Sequence, residues 1–290
     1  MKCLAVNSDG SLIASSSADK TIGVWRRADG VLMHQLKGHT GECTCVAFVD
    51  GSRLVSGGAD KTLHLWDCSS GGDATLVVDA AHLKELTCLA ARSPSCIASG
   101  SADRTVRLWA LHRDGTTSAP KTLAGHTDAV TSVALAPDGH VVASAAYDAT
   151  VRLWSTAAGD GAELRIFCGH SGAPVTAVDV SPDGRLVASG SNDGTLLLWT
   201  MTDGKTRREI HKAHTDKVAS VCFAGPSRVA SGGRDDHVRL HSVTSGEQLA
   251  ASKAHVDCVS ALAAAADGSW LASGAHDQTV RLWQVSGAHR

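Results

Sequence analysis

The sequence predicts an all-β fold assembled from seven copies of one short unit. Tryptophan returns at a nearly constant interval along the 290 residues, and a serine and an aspartate precede it at fixed distances. Between these markers lie short runs with strand character, separated by turns rich in glycine, aspartate and proline. No stretch shows a sustained helical period. Together these observations favour repeated antiparallel strands over a helical or an alternating helix–strand fold.

Six of the seven tryptophans mark the repeat. They lie 41 to 45 residues apart, with one longer interval of 84 residues: Trp25, Trp66, Trp109, Trp154, Trp199 and Trp283. His241 occupies the register that this long interval skips. The pattern Ser-x3-Asp-x5-Trp keeps the same spacing in all seven units, counting His241 in the place of one tryptophan. Its serines are Ser15, Ser56, Ser99, Ser144, Ser189, Ser231 and Ser273, and its aspartates are Asp19, Asp60, Asp103, Asp148, Asp193, Asp235 and Asp277.

A histidine that follows glycine or alanine precedes the serine by 17 to 19 residues in six of the units. These histidines are His39, His82, His126, His170, His214 and His255. In the fourth unit, strand-like runs cover residues 130–135, 141–144, 150–154 and 163–167. Each unit is therefore expected to form a meander of four antiparallel strands.

The order Gly-His, then Ser-x3-Asp-x-Thr-x3-Trp, resembles the WD-repeat family over essentially the whole chain, although the Trp-Asp pair itself survives only at Trp66 and Asp67. The resemblance implies a single seven-bladed β-propeller of four-stranded antiparallel blades. The implied blades cover approximately residues 1–39, 40–82, 83–126, 127–170, 171–214, 215–255 and 256–290. It also implies that the histidine, serine, aspartate and tryptophan of each unit form a buried hydrogen-bonded network with a structural role.

Composition and charge argue against several classes of protein. Lys and Arg number 27 against 29 Asp and Glu, which gives a formal net charge of −2, so no nucleic-acid partner is expected. No apolar run is long enough for a membrane helix, and no membrane association is expected. The nine cysteines show no zinc-type or repeated disulfide spacing, which favours reduced thiols and a cytoplasmic or nuclear location.

The recurrence of serine, histidine and aspartate also suggests a hydrolase, but the pattern argues against one. A catalytic triad is needed once, beside an oxyanion site, whereas this set returns in nearly every unit. The sequence has no Gly-x-Ser-x-Gly elbow, no phosphate-binding Gly-x4-Gly-Lys loop and no Gly-x-Gly-x-x-Gly turn. No catalytic residue, metal site or cofactor is therefore expected, and the protein is predicted not to be an enzyme.

The remaining hypothesis is a scaffold or adaptor that binds protein or peptide partners on a rigid propeller surface. The alternative is a substrate-recognition subunit that binds a modified peptide, for instance a phosphorylated one in a ubiquitin ligase assembly. That function would need several arginines at one mouth of the propeller. A propeller enzyme would need a non-repeated polar cluster in the central channel, and none is evident in the sequence.

In the WD-repeat family, the residue just before the repeat aspartate lies near one face and often contacts partners. In this chain these residues are Ala18, Ala59, Ala102, Tyr147, Asn192, Arg234 and His276. The first three are alanine, whereas the last four are larger and polar, and tyrosine and arginine are enriched in interface hot spots. Partner contact is therefore predicted in the sector of blades 4–7, at Tyr147, Asn192, Arg234 and His276. The competing interpretation is that these are variable turn residues.

Blade 6 departs from the pattern because His241 replaces its tryptophan and His237 replaces its threonine. An imidazole fills less volume than an indole, so this blade is expected to be locally looser. The two histidines lie beside Asp235 and Asp236, which suggests titration near neutral pH. A plain degenerate repeat is the alternative.

Blade 7 is expected to lack its outer strand. The sequence starts at the first residue of an innermost strand, and only seven residues follow Trp283. We therefore expect 27 strands where 28 would complete the ring, with residues 279–284 exposing an unpaired edge. Ser15, Asp19 and Trp25 would lack a histidine. Either the sequence is a fragment of a longer chain, or a partner strand completes the blade.

Overall fold

The computed structural model describes residues 1–93, 96–112, 116–157, 161–253 and 255–285, apart from the side chain of Ser93. Within these residues the chain forms 27 β-strands in seven antiparallel sheets and contains no helix. The predicted all-β, seven-bladed propeller is therefore confirmed. The last five residues of the expected seventh blade, 286–290, lie outside the described residues.

The strands run outward from the axis in chain order within each blade. Blade 1 contains β1 (Cys3–Val6), β2 (Leu12–Ser16), β3 (Thr21–Arg26) and β4 (Leu32–Lys37). Blade 2 contains β5 (Cys43–Phe48), β6 (Arg53–Gly58), β7 (Leu63–Asp67) and β8 (Leu76–Val78). Blade 3 contains β9 (Leu86–Ser93), β10 (Cys96–Ser101), β11 (Thr105–Trp109) and β12 (Lys121–Ala124). Blade 4 contains β13 (Val130–Leu135), β14 (Val141–Ala146), β15 (Thr150–Ser155) and β16 (Glu163–Cys168).

The remaining three blades follow the same order. Blade 5 contains β17 (Val175–Val180), β18 (Leu186–Ser191), β19 (Leu196–Thr200) and β20 (Thr206–Ile210). Blade 6 contains β21 (Val218–Phe223), β22 (Arg228–Gly233), β23 (Val238–Ser242) and β24 (Gln248–Ser252). Blade 7 contains β25 (Val259–Ala264), β26 (Trp270–Ala275) and β27 (Val280–Gln284).

The seven inner strands close a ring, because β1 contacts both β5 and β25. Side chains alternate between the two faces of each sheet, so a blade with two apolar faces must pack against a neighbour on either side. Each of the seven apolar clusters accordingly lies between two adjacent blades. The core is therefore a circle of interfaces rather than one central mass.

Hydroxyl groups on the inner strands tie neighbouring blades together. Four threonines each donate a side-chain hydrogen bond to a backbone carbonyl of the next blade: Thr44, Thr87, Thr131 and Thr176. At the junction of blades 7 and 1 the corresponding donor is Ser260, whose Oγ lies 3.3 Å from the carbonyl oxygen of Met1. These bonds fix the register between blades while the apolar contacts hold them together.

Trp270, the tryptophan outside the repeat register, packs at the junction of blades 7 and 1. It belongs to an apolar cluster with Leu4 and Ile13 of blade 1. The guanidinium carbon of Arg27 lies 4.7 Å from the centre of its ring, which adds a cation–π contact. Side-chain packing around Trp270 therefore closes the circle.

The turn between the second and third strands of each blade uses a left-handed residue directly after the repeat aspartate. These residues are Lys20, Lys61, Arg104, Ala149, Gly194, Asp236 and Gln278, with φ between 64° and 78°. Six of the seven are not glycine, although the left-handed region is unfavourable for them. The aspartate compensates by accepting a hydrogen bond from the backbone N–H two residues later, as Asp60 does from Thr62 at 3.2 Å.

Blade 7 has three strands within the described residues, as the sequence predicts. Its last strand, β27, pairs only with β26, whereas the third strand of every other blade is paired on both sides. The side chains of Arg281, Leu282 and Gln284 are exposed on this edge. Trp283 is half-buried, in contrast to the fully buried Trp66 of blade 2.

The glycine before a repeat histidine packs directly on the tryptophan of the next blade. A Cβ atom added at Gly169 would lie 2.5 Å from Cη2 of Trp199, and one added at Gly38 would lie 3.0 Å from Cη2 of Trp66. The first distance is shorter than real carbon–carbon contacts and the second is tighter than most of them, so the ring or the backbone would have to move. The small residue at this position is therefore a packing requirement.

Replacing Gly169 with valine is expected to destabilise the protein by about 1–3 kcal/mol, because the extra carbons overpack the space beside Trp199. Urea denaturation monitored by circular dichroism measures the change. The matched control is Gly51→Val in an exposed turn, where no atom lies within 4 Å of an added Cβ. Equal effects of the two substitutions would contradict the packing argument.

Candidate functional site

The repeat residues of blade 2 meet in one buried hydrogen-bonded network. His39, which follows outer strand β4 of blade 1, places Nε2 2.7 Å from Oγ of Ser56 and Nδ1 2.9 Å from Oδ2 of Asp60. Trp66 Nε1 donates to the same serine oxygen at 2.8 Å. Because the serine accepts from the indole, its own proton is free to bond Nε2, and the histidine then donates from Nδ1 to the carboxylate.

Three other blades repeat this geometry. Histidine Nε2 to serine Oγ is 2.7 Å in each, for His82–Ser99, His126–Ser144 and His255–Ser273. The Nδ1-to-carboxylate distances are 3.0, 2.8 and 2.9 Å for His82–Asp103, His126–Asp148 and His255–Asp277. The indole-to-serine distances are 2.9, 2.7 and 2.7 Å for Trp109–Ser99, Trp154–Ser144 and Trp283–Ser273.

Blade 5 departs from this geometry at its aspartate. His170 bonds Ser189 at 2.8 Å, and Trp199 bonds the same oxygen at 2.7 Å. Nδ1 of His170, however, bonds Thr195 Oγ1 at 2.8 Å, while the carboxylate of Asp193 lies 3.6 Å away. Four residues rather than three separate this histidine from its inner strand. Within the described residues, no N–H of this loop bonds the carboxylate of Asp193, whereas in blade 2 the N–H of Thr40 bonds that of Asp60.

Blades 1 and 6 each lack one member of the network. In blade 1, Trp25 Nε1 donates to Ser15 at 2.9 Å, and the carboxylate of Asp19 accepts from the N–H and the hydroxyl of Thr21. In blade 6 the bonds of His214 are 2.9 Å to Ser231 and 2.8 Å to Asp235. There Arg239 Nη1 donates to the same carboxylate at 2.7 Å, and His237 stands where the other blades have a threonine.

The network is a neutral imidazole between a hydroxyl and a carboxylate. Burial opposes ionisation of Asp60, but the hydrogen bonds from Thr62 and His39 outweigh it and lower the pKa of the carboxyl to about 2. Burial lowers the pKa of His82 and outweighs the charge of Asp103. Ser56 is completely buried, so its hydroxyl is closed to any substrate. The geometry suits a structural clamp and is unsuited to a nucleophile.

Acid is expected to destabilise the protein through these aspartates. The pKa of Asp60 in the folded state is below its ordinary 3.8, so the carboxylate stabilises the fold above that value and loses its effect as the pH falls toward about 2. Asp60→Asn should lower the free energy of unfolding at pH 7 by about 1.5–3 kcal/mol and flatten its decline between pH 5 and 2. Denaturant titrations at several pH values measure both effects.

The control for this substitution is Asp19→Asn, at the equivalent position of the blade without a histidine. It alters the bonds to Thr21 and breaks no bond to a histidine, so its effect on stability should be clearly smaller. A drop as large as that of Asp60→Asn would assign the stabilisation to the turn instead of to the histidine.

Within the described residues, one group of side chains has the composition of a metal site: His39, Asp60 and His64. Both nitrogens of His39 are already hydrogen-bonded, to Ser56 and Asp60. The rings of His39 and His64 are stacked, with centroids 4.0 Å apart and planes 29° apart. Ligand lone pairs lie in the ring planes, so stacked rings direct them side by side instead of at one ion. We interpret this group as part of the packing of blade 2.

His241 fills the tryptophan register of blade 6 without reproducing its hydrogen bond. It is 2% exposed, and its Nδ1 has no partner among the described residues. Burial, reinforced by nearby His214 and Arg239, lowers the pKa of His241 to about 4. The prediction of titration near neutral pH is therefore wrong for this histidine, because its surroundings disfavour the charged form.

His241→Trp is expected to raise the free energy of unfolding by about 1 kcal/mol or more, because an indole would fill the register and donate to Ser231. Thermal denaturation at pH 7 measures the gain. His241→Phe is the matched control, since it adds a larger ring without a donor. A loss of stability with tryptophan would show that the blade has repacked around the imidazole.

The cysteines offer no activated thiol among the buried positions. Cys3, Cys45 and Cys88 share one register of the inner strands, and all nine cysteines of the chain are free. Burial raises the pKa of Cys88 to about 12 and raises that of Cys45 as well. A protonated thiol is a poor nucleophile and a poor metal ligand, so these residues act as small packing groups.

Polar side chains from several blades converge at one mouth of the central channel. We call the face with the turns after each repeat serine the upper face, and its opening the upper mouth. A cavity of about 360 Å³ lies there, and Tyr147, Asn192 and Arg234 of blades 4, 5 and 6 all line it. Tyr147 is 49% exposed, which is unusual for a large aromatic side chain. Three of the four predicted contact residues therefore share one site.

The cavity does not coincide with the predicted sector of blades 4–7, because it is lined by residues of blades 3–6. Glu85 of blade 3 and Lys217 of blade 6 also line it, and neither was singled out from the sequence. Both residues directly precede an inner strand. The residue type at this position differs between blades, and that variation is the sequence signal that could have identified them. His276, the fourth predicted residue, lines a different cavity between blades 7 and 1.

The opposite mouth contains a charged residue that the sequence did not reveal as special. Asp179 lies on β17, where the other blades carry small apolar residues: Ala5, Ala47, Ala90, Ala134, Cys222 and Ala263. Burial raises its pKa to about 6. One carboxylate oxygen accepts the N–H of Phe223 at 2.8 Å and the other that of Val180 at 2.8 Å. Asp179 therefore ties blade 5 to blade 6.

The chain belongs to the WD-repeat family. A profile of the family described as WD domain, G-beta repeat matches it seven times, over residues 1–26, 30–67, 70–110, 118–155, 161–200, 205–242 and 246–284. No helix in the described ranges has the length and apolar character needed to cross a membrane.

Two characterised proteins are similar to parts of the chain. Mitochondrial division protein 1 of Pyricularia oryzae is 33% identical over 87 residues, which cover 30% of this chain and 13% of that protein. Target of rapamycin complex subunit wat1 of Schizosaccharomyces pombe is 31% identical over 75 residues, which cover 25% of this chain and 24% of that protein. The similarity thus spans less than a quarter of either relative.

Proposed function

We propose that the protein is a non-catalytic interaction scaffold or adaptor, and that it binds a segment of a partner protein at the upper mouth. The observation that carries this proposal is the convergence of Tyr147, Asn192 and Arg234 on one cavity. The networks beneath the turns hold these positions rigidly, so little conformational entropy is lost when a partner binds.

The chemistry of the cavity suits a polar peptide segment with an aromatic or aliphatic anchor. The exposed ring of Tyr147 offers apolar area, Asn192 offers an amide donor and acceptor, and Arg234 offers a planar cation. Glu85 on the opposite side supplies a negative charge, so the site presents both signs to a partner. The absence of an accessible repeated hydroxyl, with Ser56 and its equivalents buried, agrees with a function without catalysis.

A second candidate is recognition of an acidic or phosphorylated segment, as in a substrate-recognition subunit. It is favoured by the two cations on one cavity, Lys217 and Arg234, which are joined by a 2.9 Å backbone hydrogen bond. The description of one relative as a complex subunit agrees with either role in an assembly. Nine free cysteines agree with a reducing compartment, and we propose the cytoplasm or nucleus.

Tyr147→Ala combined with Arg234→Ala is expected to remove most of the partners that co-purify with the tagged protein, because both substitutions delete hot-spot side chains. Quantitative mass spectrometry of affinity-purified complexes compares the variant with the unchanged protein. Arg207→Ala, on an exposed outer strand, is the matched control. An unchanged set of partners in a folded double variant would rule out the upper mouth.

Phosphopeptide arrays separate the two candidates. Binding of phosphorylated but not of unphosphorylated peptides, abolished by Arg234→Ala, would support the second candidate. Phosphorylation-independent binding that depends on Tyr147 would support the first.

A further inference from the structure

Three cations lie together on the upper face of blades 2 and 3. Lys61 and Arg104 directly follow the repeat aspartates of these blades, and Lys84 lies in the loop between His82 and β9. Ser101 holds Lys84 and Arg104 together: its hydroxyl lies 3.3 Å from the carbonyl oxygen of Lys84, and its carbonyl oxygen accepts the N–H of Arg104 at 3.1 Å. All three cations are exposed, and we call them the cationic patch.

Three carboxylates lie on the upper face of blades 6 and 7. Asp216 and Asp257 each precede an inner strand by two residues, and Asp236 directly follows the repeat aspartate of blade 6. Burial raises the pKa of the Cys258 thiol, and the charges of Asp257, Asp236 and Asp216 raise it further against the opposing charge of Arg234. The three carboxylates therefore lie close to one another around this thiol. We call them the anionic patch.

Neither patch is neutralised within the part of the chain that the structure describes. None of the six residues forms an ion pair with another described residue. The carboxylates beside the cationic patch have other partners, since Asp60 bonds His39 at 2.9 Å and Glu42 pairs with Lys2 at 3.0 Å. Each patch thus projects an uncompensated potential that attracts a ligand group of the opposite sign.

The cavity of the upper mouth extends from one patch to the other. Glu85, which follows Lys84, lines its blade 3 end, and Lys217, which follows Asp216, lines its blade 6 end. Two blades separate the patches on one side of the ring and one blade on the other, so the patches lie nearly opposite each other. Tyr147 lines the cavity between them. A segment that occupies the cavity therefore has its two ends over patches of opposite charge.

The shape of the mouth favours a narrow segment over a second copy of the chain. Two copies could set each patch against the opposite patch of the other copy, but this arrangement places the two mouths face to face. Both cavities, of about 360 Å³ each, would then lack side chains to fill them. A single extended strand can enter the cavity and still reach both patches.

We propose that the upper face binds an extended segment of a partner protein whose charges are separated, with an acidic end over the cationic patch and a basic end over the anionic patch. An apolar residue between the two ends lies beside Tyr147 in the upper mouth. The centre needs no net charge, because the cavity presents Glu85 on one side and Lys217 and Arg234 on the other. This inference rests on the proposed function, since it specifies the segment that the upper mouth binds.

The first test compares two fluorescent peptides of the same composition on the 290-residue protein. The block peptide has three glutamates at one end, three lysines at the other and the centre Gly-Ser-Leu-Ser-Gly, and it spans about 35 Å when extended. In the control peptide, glutamate and lysine alternate at both ends. Fluorescence anisotropy at about 50 mM salt should show at least about fivefold tighter binding of the block peptide, and about 0.5 M salt should reduce the difference by screening. Equal affinities, or no saturable binding, would overturn the proposal.

Charge reversal in one patch tests which end of the peptide lies over it. Lys61→Glu with Arg104→Glu should weaken the block peptide about fivefold and strengthen, by a similar factor, a peptide whose glutamates are replaced by lysines. The matched control is Lys205→Glu with Arg207→Glu, which changes the net charge equally on the exposed outer edge of blade 5. Circular dichroism confirms that each variant folds. Equal effects of the two double variants would show that net charge alone acts and would contradict the patches.

Photo-crosslinking tests the orientation of the segment. A benzophenone at the acidic end of the block peptide should label blades 2 and 3, and one at the basic end should label blades 6 and 7, as mapped by mass spectrometry. The same labelling from both ends would refute the assigned orientation. Sedimentation of the free protein supplies a further check, because a dimer that the block peptide dissociates would assign the upper face to a second copy and reject a partner segment.

Tyr147→Ala with Arg234→Ala separates this inference from the proposed function. Loss of co-purified partners in that variant, together with full retention in Lys61→Glu with Arg104→Glu, would leave the proposed function intact and make the charged patches wrong. The block peptide should also bind the Tyr147→Ala, Arg234→Ala variant more weakly, since its centre occupies the mouth. Unchanged affinity there would show that the segment does not cross the mouth, which contradicts the proposal.

Discussion

The structure depends on a single buried hydroxyl in each blade. Ser56 accepts the indole proton of its own third strand and bonds a histidine that follows the outer strand of the blade before it. One oxygen thus joins two strands of one blade to the end of its neighbour. Each hydrogen bond of the network contributes about 1 kcal/mol to stability, and a buried polar group left without its partner costs a comparable amount. The histidine, serine, aspartate and tryptophan therefore stabilise the fold only when all of them are present. No blade can complete its own network.

This shared network explains why the architecture was accessible from the sequence. Ser56, Asp60 and Trp66 lie on two paired strands and the turn between them. The number of residues between these three positions is therefore constant from blade to blade. The identity of the turn residue was less predictable. Lys61 adopts φ of 67°, where glycine would be the usual choice, because the capped aspartate holds the turn. The spacing of the repeat is the same whichever residue occupies this turn, so the spacing could be predicted from the sequence and the residue type could not.

The candidate site was only partly predictable, since it combines positions from different blades. Tyr147, Asn192 and Arg234 share a register, and that register could be read from one sequence. Glu85 and Lys217 belong to another register and reach the same cavity only because the blades are arranged around an axis. Blade 5 shows a similar limit: the longer loop after His170 was visible as a spacing of 19 residues, but its effect on the carboxylate of Asp193 required coordinates.

The junction between blades 7 and 1 also bears on the order in which the protein folds. Its hydrogen bond from Ser260 to Met1 joins residues 259 apart in the chain, whereas the bond from Thr131 to Val175 joins residues 44 apart. Closing the larger loop costs about 1.5 kcal/mol more in chain entropy. Neighbouring blades should therefore dock one after another into an arc. The circle would form in the last step, when the cluster around Trp270 comes together.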